Sequence, residues 1–394
     1  MRTKVKLKGG ISLIVLVITI IVMIILAAAI ILSLSNSGII GKANKAKTDS
    51  DTANLKEYVN TLRAEWELMT DAERSVKANS FEEYANKKLA DNGYKGAVGA
   101  DGEVYSNLNE NVMAAIRAGI KVGDVVTGYT VTSTTYTTDG SENTALNGSE
   151  TNPQSQTVTA NTALTWKYLG VNANGELEIM ADLGEEVAAN TKVNLSGKGG
   201  YLKGPGMLNT ICEKLYSKEG VGTARSMNID DVNNILGYTG PKGSYSDTNY
   251  NTVTTAEPLT IGDIDTKLGT SLGNTTTTPD GKALSTYYAD CYFIDKTSGK
   301  KEMKNPGNVD LVYNAKNAYW LASPCVNALF GGSYAYFYVR YVYSASVDMC
   351  EMFYSNDISN FDTFAVRPVV SLKSNIQLTR DIGETEWKIK QAQN

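Results

Sequence analysis

The feature that most limits what this chain can fold into is an uncharged, apolar run of 24 residues from Ile11 to Leu34. A helix rises about 1.5 Å per residue, so the run makes a helix of roughly 36 Å, enough to cross a hydrocarbon core of ~30 Å. The run continues past the small residues at 27–29, where a cleaved secretory signal would end. The sequence therefore predicts one retained transmembrane helix over residues 11–34, in contact with membrane lipid.

The charges before the anchor predict its orientation. Residues 1–10 form a basic leader without any acid. Its basic residues are Arg2, Lys4, Lys6 and Lys8. Basic flanks stay in the cytoplasm, so the chain beyond about Gly38 is expected outside the cell. We therefore predict a single-pass protein of the cytoplasmic membrane with an extracellular C-terminal domain.

The composition narrows the chemistry that this domain can perform. Histidine is absent from the 394 residues, and the formal net charge is −5. Without histidine the chain lacks the commonest general base and the commonest side-chain ligand of transition metals. Its acidic balance gives no electrostatic basis for binding nucleic acid. We therefore expect no enzyme activity, cofactor, metal site or nucleic-acid partner.

The cysteines are few and form no CxxC motif. They are Cys212, Cys291, Cys325 and Cys350. Cys212 shares an apolar helical face with Leu208 and Ile211, which predicts a buried free thiol. A bridge between Cys325 and Cys350 is the alternative to two free thiols in an exported protein.

Beyond the anchor, an apolar stripe runs along a charged segment within residues 35–75. Its members recur at spacings of four, three, four and three residues: Leu55, Val59, Leu62, Trp66 and Met69. This pattern predicts an amphipathic stalk helix. The stripe can pack beneath a globular head or form a coiled coil.

The rest of the chain predicts an α+β, mixed head with irregular insertions. Residues 76–160 are predicted to form a small α/β connector with a polar loop, and residues 161–380 a ligand-binding domain before a tail over 381–394. Two helices are predicted in the connector, over 80–92 and 111–118.

Local signals place several elements in the larger domain. The Asn-Gly pair at 174–175, between alternating segments, predicts a tight β-hairpin. Pro205 predicts the first turn of a helix, and Asn228 the N-cap of the next, where the acids at 230–231 would stabilise the helix dipole. Further strands are predicted over 287–294, 318–322, 334–343 and 363–372, and a polar insertion over 239–283.

An aromatic stretch near the C-terminus predicts a contact surface. Residues 327–364 hold six of the 23 tyrosines and five of the seven phenylalanines, and Arg340 is their only basic residue. High tyrosine and low lysine content is typical of binding surfaces. Strand alternation predicts Ala335, Phe337 and Val339 inside, and Tyr336, Tyr338 and Arg340 outside. The alternative is that these aromatic residues are core residues of a strand.

The leader carries a family resemblance. Gly9-Gly10 is followed at once by Ile11-Ser12-Leu13-Ile14, and this junction resembles the prepilin leader of type IV pilins in the variant of many Firmicutes. The resemblance implies cleavage between Gly10 and Ile11, with cleavage after Gly9 as the alternative, and storage in the cytoplasmic membrane. The family usually has Glu at the fifth mature position, where Val15 stands here, which puts assembly into a long fibre in doubt.

A second resemblance covers residues 161–380. The segments that carry it are Leu208–Tyr216, Thr223–Asn228, Tyr319–Ser323 and Phe364–Leu372. They are similar to the C-type-lectin-like domain of formylglycine-generating-enzyme relatives, in the form found in variable proteins of diversity-generating retroelements. The resemblance implies a variable, ligand-binding region at 327–363. Its candidate contact residues are Phe330, Tyr334, Tyr336, Tyr338, Tyr341, Tyr343, Ala345, Val347, Met349, Met352, Asn356, Asn360 and Phe361.

Together these features predict a surface-displayed, pilin-like ligand-binding protein, an adhesin or receptor. Its partner would be a protein or glycan on another cell, a phage or a host surface, besides other pilins. One alternative is a structural pilin or pseudopilin subunit. The other is a formylglycine-generating-like enzyme, which would use Cys325 and Cys350, although neither lies in a matching motif. The calcium-binding motifs of true C-type lectins are absent from the sequence.

Overall fold

The computed structural model describes residues 39–143, 154–184, 187–240, 294–313, 316–327, 336–354 and 361–391. The predicted anchor at 11–34 and the cleavage site at Gly10 and Ile11 lie outside these residues. Within the described ranges, no helix is both long and apolar enough to span a membrane. The described chain divides into two compact units: the first runs to Val98 and includes 102–107, and the second comprises the remainder.

Helices and strands are interleaved along both units. The helices are α1 (Ile39–Leu68), α2 (Asp71–Lys77), α3 (Phe81–Asp91), α4 (Glu110–Arg117), α5 (Gly197–Leu202), α6 (Gly204–Tyr216), α7 (Ile229–Leu236) and α8 (Val309–Tyr313). The strands are β1 (Gly96–Val98), β2 (Val104–Ser106), β3 (Val125–Thr127), β4 (Thr135–Thr137), β5 (Thr157–Thr159), β6 (Thr165–Val171), β7 (Leu177–Asp182), β8 (Lys192–Ser196), β9 (Gly222–Ser226), β10 (Ile294–Asp295), β11 (Tyr319–Asn327), β12 (Tyr336–Tyr343), β13 (Ser346–Tyr354), β14 (Phe361–Ala365), β15 (Pro368–Leu372), β16 (Ile376–Thr379) and β17 (Trp387–Gln391). This mixture confirms the predicted α+β class.

The first unit is organised by the apolar stripe of α1. Leu55, Val59 and Leu62 are buried in one cluster with residues of α3, and Trp66 and Met69 pack against the same cluster. The side chains of the predicted stripe are therefore packed against their own unit, which leaves this face unavailable for a coiled coil. Burying such a stripe is the main source of stability for an amphipathic helix.

The second unit contains two large sheets. One has seven strands in the order β16-β17-β3-β6-β7-β15-β9, and the other six in the order β10-β13-β12-β11-β14-β8. The β6–β7 hairpin confirms the prediction from the Asn-Gly pair, because Gly175 has a φ of +78°, which a glycine adopts without strain. β11, β12 and β13 form an antiparallel meander in the second sheet.

The units do not follow the boundaries proposed from the sequence. β3 lies in the predicted connector and β17 in the predicted tail, yet the two are parallel neighbours, with Val126 opposite Trp387. Trp387 is fully buried, and its Nε1 donates to Asp124 Oδ2 at 2.9 Å. The second unit thus takes in residues from 108 onward and the described part of 381–394. A pairing across 260 residues leaves no local signal in the sequence.

Helix α6 confirms two local predictions. Pro205 lies in its first turn, where a missing amide hydrogen costs nothing. Cys212 is a fully buried free thiol whose pKa is raised by burial, as expected for a small core residue.

Helix α7 begins with a capping box that an arginine extends. Asn228 is the N-cap, as the sequence predicts, and Asp231 in turn caps the backbone amide of Asn228. Arg225 of β9 donates to both oxygens of Asp231, at 2.6 and 2.8 Å, and to both oxygens of Glu178 on β7, at 3.1 and 3.2 Å. The two carboxylates are almost completely buried, with 7% and 8% of their side-chain surface exposed. Arg225 therefore ties α7 to the seven-stranded sheet.

A second arginine joins the two sheets. Arg367, between β14 and β15, is only 2% exposed. Its Nε donates to Ala181 O of the seven-stranded sheet at 2.8 Å, and its Nη1 donates to Tyr319 Oη of the six-stranded sheet at 3.0 Å. Its Nη2 donates to Leu311 O of α8 at 2.7 Å. One guanidinium thus donates to acceptors in three elements, two of them buried and the third, Leu311 O, partly buried.

Candidate functional site

Strand β12 presents two different faces. Side chains alternate along a strand, so Phe337, Val339, Tyr341 and Tyr343 share one face, which we call the tyrosine face of the six-stranded sheet. Phe337 and Val339 are fully buried, Tyr341 is half-buried, and Tyr343 is 59% exposed. The tyrosine face therefore opens progressively toward the C-terminal end of β12.

Helix α5 covers the closed end of this face. The ring of Tyr201 meets that of Phe337 edge-on, with centroids 5.0 Å apart. Gly200 permits this close approach, since a Cβ there would lie 2.8 Å from Met352 Sδ and 3.3 Å from the carbonyl carbon of Leu195. The helix thus leaves only the Tyr341 end of the face accessible.

Three aromatic rings form the floor of the accessible end. Tyr341 and Phe364 stack with centroids 4.6 Å apart and an interplanar angle of 24°. Trp320 lies 4.6 Å from Phe364 and 6.3 Å from Tyr341, and it is fully buried. Its Nε1 donates to Val193 O at 2.8 Å, which fixes the indole ring. Packed rings of this kind make a rigid floor for a contact surface.

Acidic side chains line the same face. Asp348 lies opposite Tyr341, and its Oδ1 accepts from the backbone amide of Met349 at 2.7 Å. Cys350 Sγ lies 3.7 Å from Asp362 Oδ2, although β12 and β11 separate the two strands in the sheet order. The sheet is therefore strongly curved here. The resulting aromatic–acidic cluster consists of Trp320, Tyr341, Asp348, Cys350, Asp362 and Phe364.

Burial and mutual repulsion set the electrostatics of this cluster. Burial raises the pKa of the Asp348 carboxyl, and burial together with neighbouring acids raises the pKa values of the Tyr341 phenol and the Cys350 thiol. Every charged neighbour that acts on Tyr341 and Cys350 is itself acidic. The cluster is therefore a partly desolvated site with negative potential.

The prediction that Arg340 points outward is wrong. Arg340 is 1% exposed, and its Nη1 donates to Pro324 O at 3.1 Å. Phe337 and Val339 are buried as predicted. Alternation distinguishes the two faces of a strand, but here the face opposite the tyrosines is also covered, so Arg340 lies in the interior.

The predicted contact residues fall into four groups. Phe330, Tyr334, Asn356 and Asn360 lie outside the described residues, and only the backbone of Tyr336 is described. Tyr341, Tyr343, Ala345 and Phe361 are accessible, Phe361 at 74%. Tyr338 is half-buried on the opposite face. Val347, Met349 and Met352 are buried.

The buried members of the predicted set are covered in two different ways. Val347 and Met349 lie opposite Val342 and Arg340, on the covered face of the sheet. Met352 lies at the register shift between β12 and β13, beneath α5. These three side chains can shape a ligand site through the packing behind it, whereas direct contact requires the accessible residues.

Sequence reasoning did not select the acids of the cluster. Asp348 and Asp362 become significant only because curvature of the sheet brings β13 and β14 together. One signal was available: Ser346-Val347-Asp348-Met349-Cys350 alternates polar and apolar residues, which indicates a strand with one open face.

The two cysteines near the cluster do not form a pair. Cys325 lies opposite Tyr338 and Cys350 opposite Val339, so their side chains project from opposite faces of the sheet. Both are free thiols. The geometry favours the free-thiol alternative over a disulfide and gives no site in which both sulfurs act together.

We expect native thiols that react slowly and do not cross-link. At pH 7.5, iodoacetamide should leave Cys212, Cys325 and Cys350 largely unmodified, because burial keeps these thiols inaccessible or protonated. All three should react in denaturant, and mass spectrometry of the digested protein measures both states. A peptide containing a Cys325–Cys350 disulfide, or rapid native alkylation of Cys350, would contradict this expectation.

The side chains of the cluster determine the kinds of contact that it can make. Within the described ranges, no group of three or more cysteine, aspartate and glutamate side chains is placed to hold a metal ion. What the cluster provides is ring surface, two carboxylates and a phenol. These groups bind ligands by stacking, hydrogen bonding and charge.

Comparisons with known proteins add no family assignment. No protein-family model matches the sequence, and the searches of curated proteins and of solved structures find no match either.

Proposed function

We propose that the chain is a membrane-anchored, pilin-like surface protein whose second unit is a C-type-lectin-like ligand-binding domain. The observation that carries the proposal is the accessible end of the tyrosine face, where exposed Tyr343 borders a fixed aromatic floor. Exposed Phe361 projects from the other face of β14, because it alternates with Asp362 and Phe364. Tyrosine surfaces supported by a rigid framework are typical of recognition sites. The partner is a protein or glycan on another cell, a phage or a host surface.

Exposure of large rings supports this reading over a purely structural one. Tyr343 and Phe361 keep 59% and 74% of their surface in water, while Trp320 and Phe337 of the same sheet are fully buried. Exposed aromatic side chains on a rigid sheet provide wide contact area for a partner at a low entropic cost.

We expect the accessible aromatic residues to dominate ligand binding. The full chain, displayed in its membrane, is screened against an array of glycans and surface proteins. The double variant Tyr343→Ser/Phe361→Ser should then weaken the strongest interaction at least about tenfold, since exposed aromatic anchors commonly carry most of the binding energy.

The matched control is Ile382→Ser, which removes a fully exposed apolar side chain from the loop between β16 and β17. It should leave binding unchanged. Equal binding by the double variant and the parent chain would refute the proposal.

We also propose that residues 327–363 are the variable region of a diversity-generating retroelement. Sequencing the DNA beside the gene tests this directly. A reverse transcriptase gene and a near-copy of the 3′ end, differing from it at adenines, is the expected arrangement. An isolated gene would refute this part of the proposal while leaving ligand binding intact.

The anchor is part of the same proposal. Processing of the leader between Gly10 and Ile11 would leave a mature chain that begins at Ile11, held in the cytoplasmic membrane by residues 11–34. N-terminal sequencing of the protein from membranes tests the cleavage. Recovery of the chain as the bulk of purified filaments would instead favour the structural pilin alternative.

A further inference from the structure

In the strands as far as the structure describes them, the tyrosine face carries acids and no base at its accessible end. In the described parts of the six strands, the basic residues are Lys192 and Arg340. Lys192 lies opposite Ala365, on the face away from Phe364, and Arg340 is buried on the covered face. Asp348 and Asp362 therefore stand on the tyrosine face without a cationic side chain from the same sheet.

The aromatic floor is a second feature of this site that suits a positively charged ligand. Tyr341 and Phe364 stack with their ring faces nearly parallel, flanked by the carboxylates of Asp348 and Asp362. Aromatic faces attract cations through their quadrupole, and the attraction is larger where the site is partly desolvated. A guanidinium can also lie flat against a ring while its N–H groups reach a carboxylate.

We infer that the aromatic–acidic cluster receives a basic side chain, arginine above all, from a protein partner. This inference rests on the proposed ligand-binding function and specifies the partner as a protein with an exposed basic segment. The carboxylates supply the charge, Tyr341 and Phe364 supply the stacking surface, and Tyr343 borders the entrance. A ligand cation would also lie beside the two carboxylates, for which the described strands supply no cation on this face.

A fluorescein-labelled hexa-arginine peptide provides the test, with hexa-citrulline as its uncharged counterpart of nearly the same shape. Fluorescence anisotropy with the full chain should show binding of the arginine peptide and at least about tenfold weaker binding of the citrulline peptide. Binding should weaken as salt is raised, because screening shortens the range of the attraction.

Matched variants separate the cluster from the general acidity of the chain. Asp348→Asn and Asp362→Asn keep the size of the side chain and should each weaken hexa-arginine binding about fivefold. Glu384→Gln removes one exposed negative charge from the loop between β16 and β17 and should change binding less than twofold. Circular dichroism checks that each variant keeps its fold.

The outcomes distinguish this inference from the proposed function. If the array ligand depends on Tyr343 and Phe361 but not on Asp348 and Asp362, ligand binding stands and the basic partner is wrong. If binding depends neither on Tyr343 and Phe361 nor on Asp348 and Asp362, both the proposed ligand-binding function and the inferred basic partner are wrong. Competition by phosphocholine at lower concentration than by N-acetyl-arginine amide would identify a quaternary ammonium group and overturn the assignment to a protein side chain.

Discussion

Replacing Arg367 with lysine is expected to lower the free energy of unfolding of the second unit by about 3–5 kcal/mol. The guanidinium is 2% exposed and donates to Ala181 O, Tyr319 Oη and Leu311 O, with all three distances between 2.7 and 3.0 Å. These acceptors belong to two sheets and a helix, so they sit in three directions around the side chain.

Lysine cannot reproduce this arrangement. Its ammonium is a compact charge at the end of a flexible stem, whereas the planar guanidinium holds five donors in fixed directions. Lysine at position 367 would leave at least one buried oxygen without a donor, at a cost of about 1–3 kcal/mol for each, and would bury a more strongly hydrated charge. The ring of Tyr319, whose centroid lies 5.0 Å from the Arg367 guanidinium carbon, would lose a cation–π contact as well.

Urea unfolding of the purified full chain, followed by tryptophan fluorescence, measures the effect because Trp166, Trp320 and Trp387 are all buried in the second unit. The matched control is Arg380→Lys, which changes an exposed arginine placed over the ring of Trp387. It should cost less than about 1 kcal/mol. A loss below 1 kcal/mol for Arg367→Lys would show that the three hydrogen bonds do not hold the sheets together.

Elements set by neighbouring residues could be predicted from the sequence. Asn228 caps its helix as expected, Ser80 caps the helix predicted over 80–92, and the turn at Gly175 forms the predicted hairpin. Caps and tight turns depend on a few consecutive residues, so their signal survives in the sequence alone. The stripe of α1 is likewise a local pattern with a 3.6-residue period.

Long-range pairing could not be predicted in the same way. The strand at Trp387–Gln391 was expected to be a tail, since nothing in its composition indicates that it inserts beside β3. The strand at Ser346–Tyr354 was not expected either, although it is the partner of the whole of β12. Both gain their stability from residues far away in the chain.

In the candidate site, too, local features could be predicted from the sequence and long-range packing could not. Its aromatic content was visible in the sequence, which led to Tyr341, Tyr343 and Phe361. How much of each face is covered depends on elements distant in the chain, since α5 packs on Phe337 of the tyrosine face and α8 contacts β12. Neither element leaves a signal within β12. Arg340 was therefore assigned to solvent and is instead buried.

Replacing Arg225 with methionine should also be strongly destabilising, by about 3–5 kcal/mol. Burial alone would lower the pKa of the Arg225 guanidinium, but hydrogen bonds and attraction from Asp231 and Glu178 outweigh burial and raise it. Methionine would leave these two nearly buried carboxylates facing each other without a cation. Asp231 would still cap Asn228, but β9 would no longer be tied to β7 and α7.

The matched control is an exposed salt bridge, in which Arg117 Nη1 lies 3.3 Å from Glu110 Oε2. Arg117→Met should cost less than about 1 kcal/mol, because water screens a surface pair and hydrates the remaining carboxylate. The triple variant Arg225→Met/Glu178→Gln/Asp231→Asn removes the uncompensated charges and should recover at least about half of the loss, since the penalty arises from burying unpaired carboxylates. Equal effects of Arg225→Met and Arg117→Met in urea unfolding would mean that solvent reaches the Arg225 site. If the triple variant does not recover stability, the loss of unfolding free energy in Arg225→Met arises from lost packing of the arginine stem and not from unpaired carboxylates.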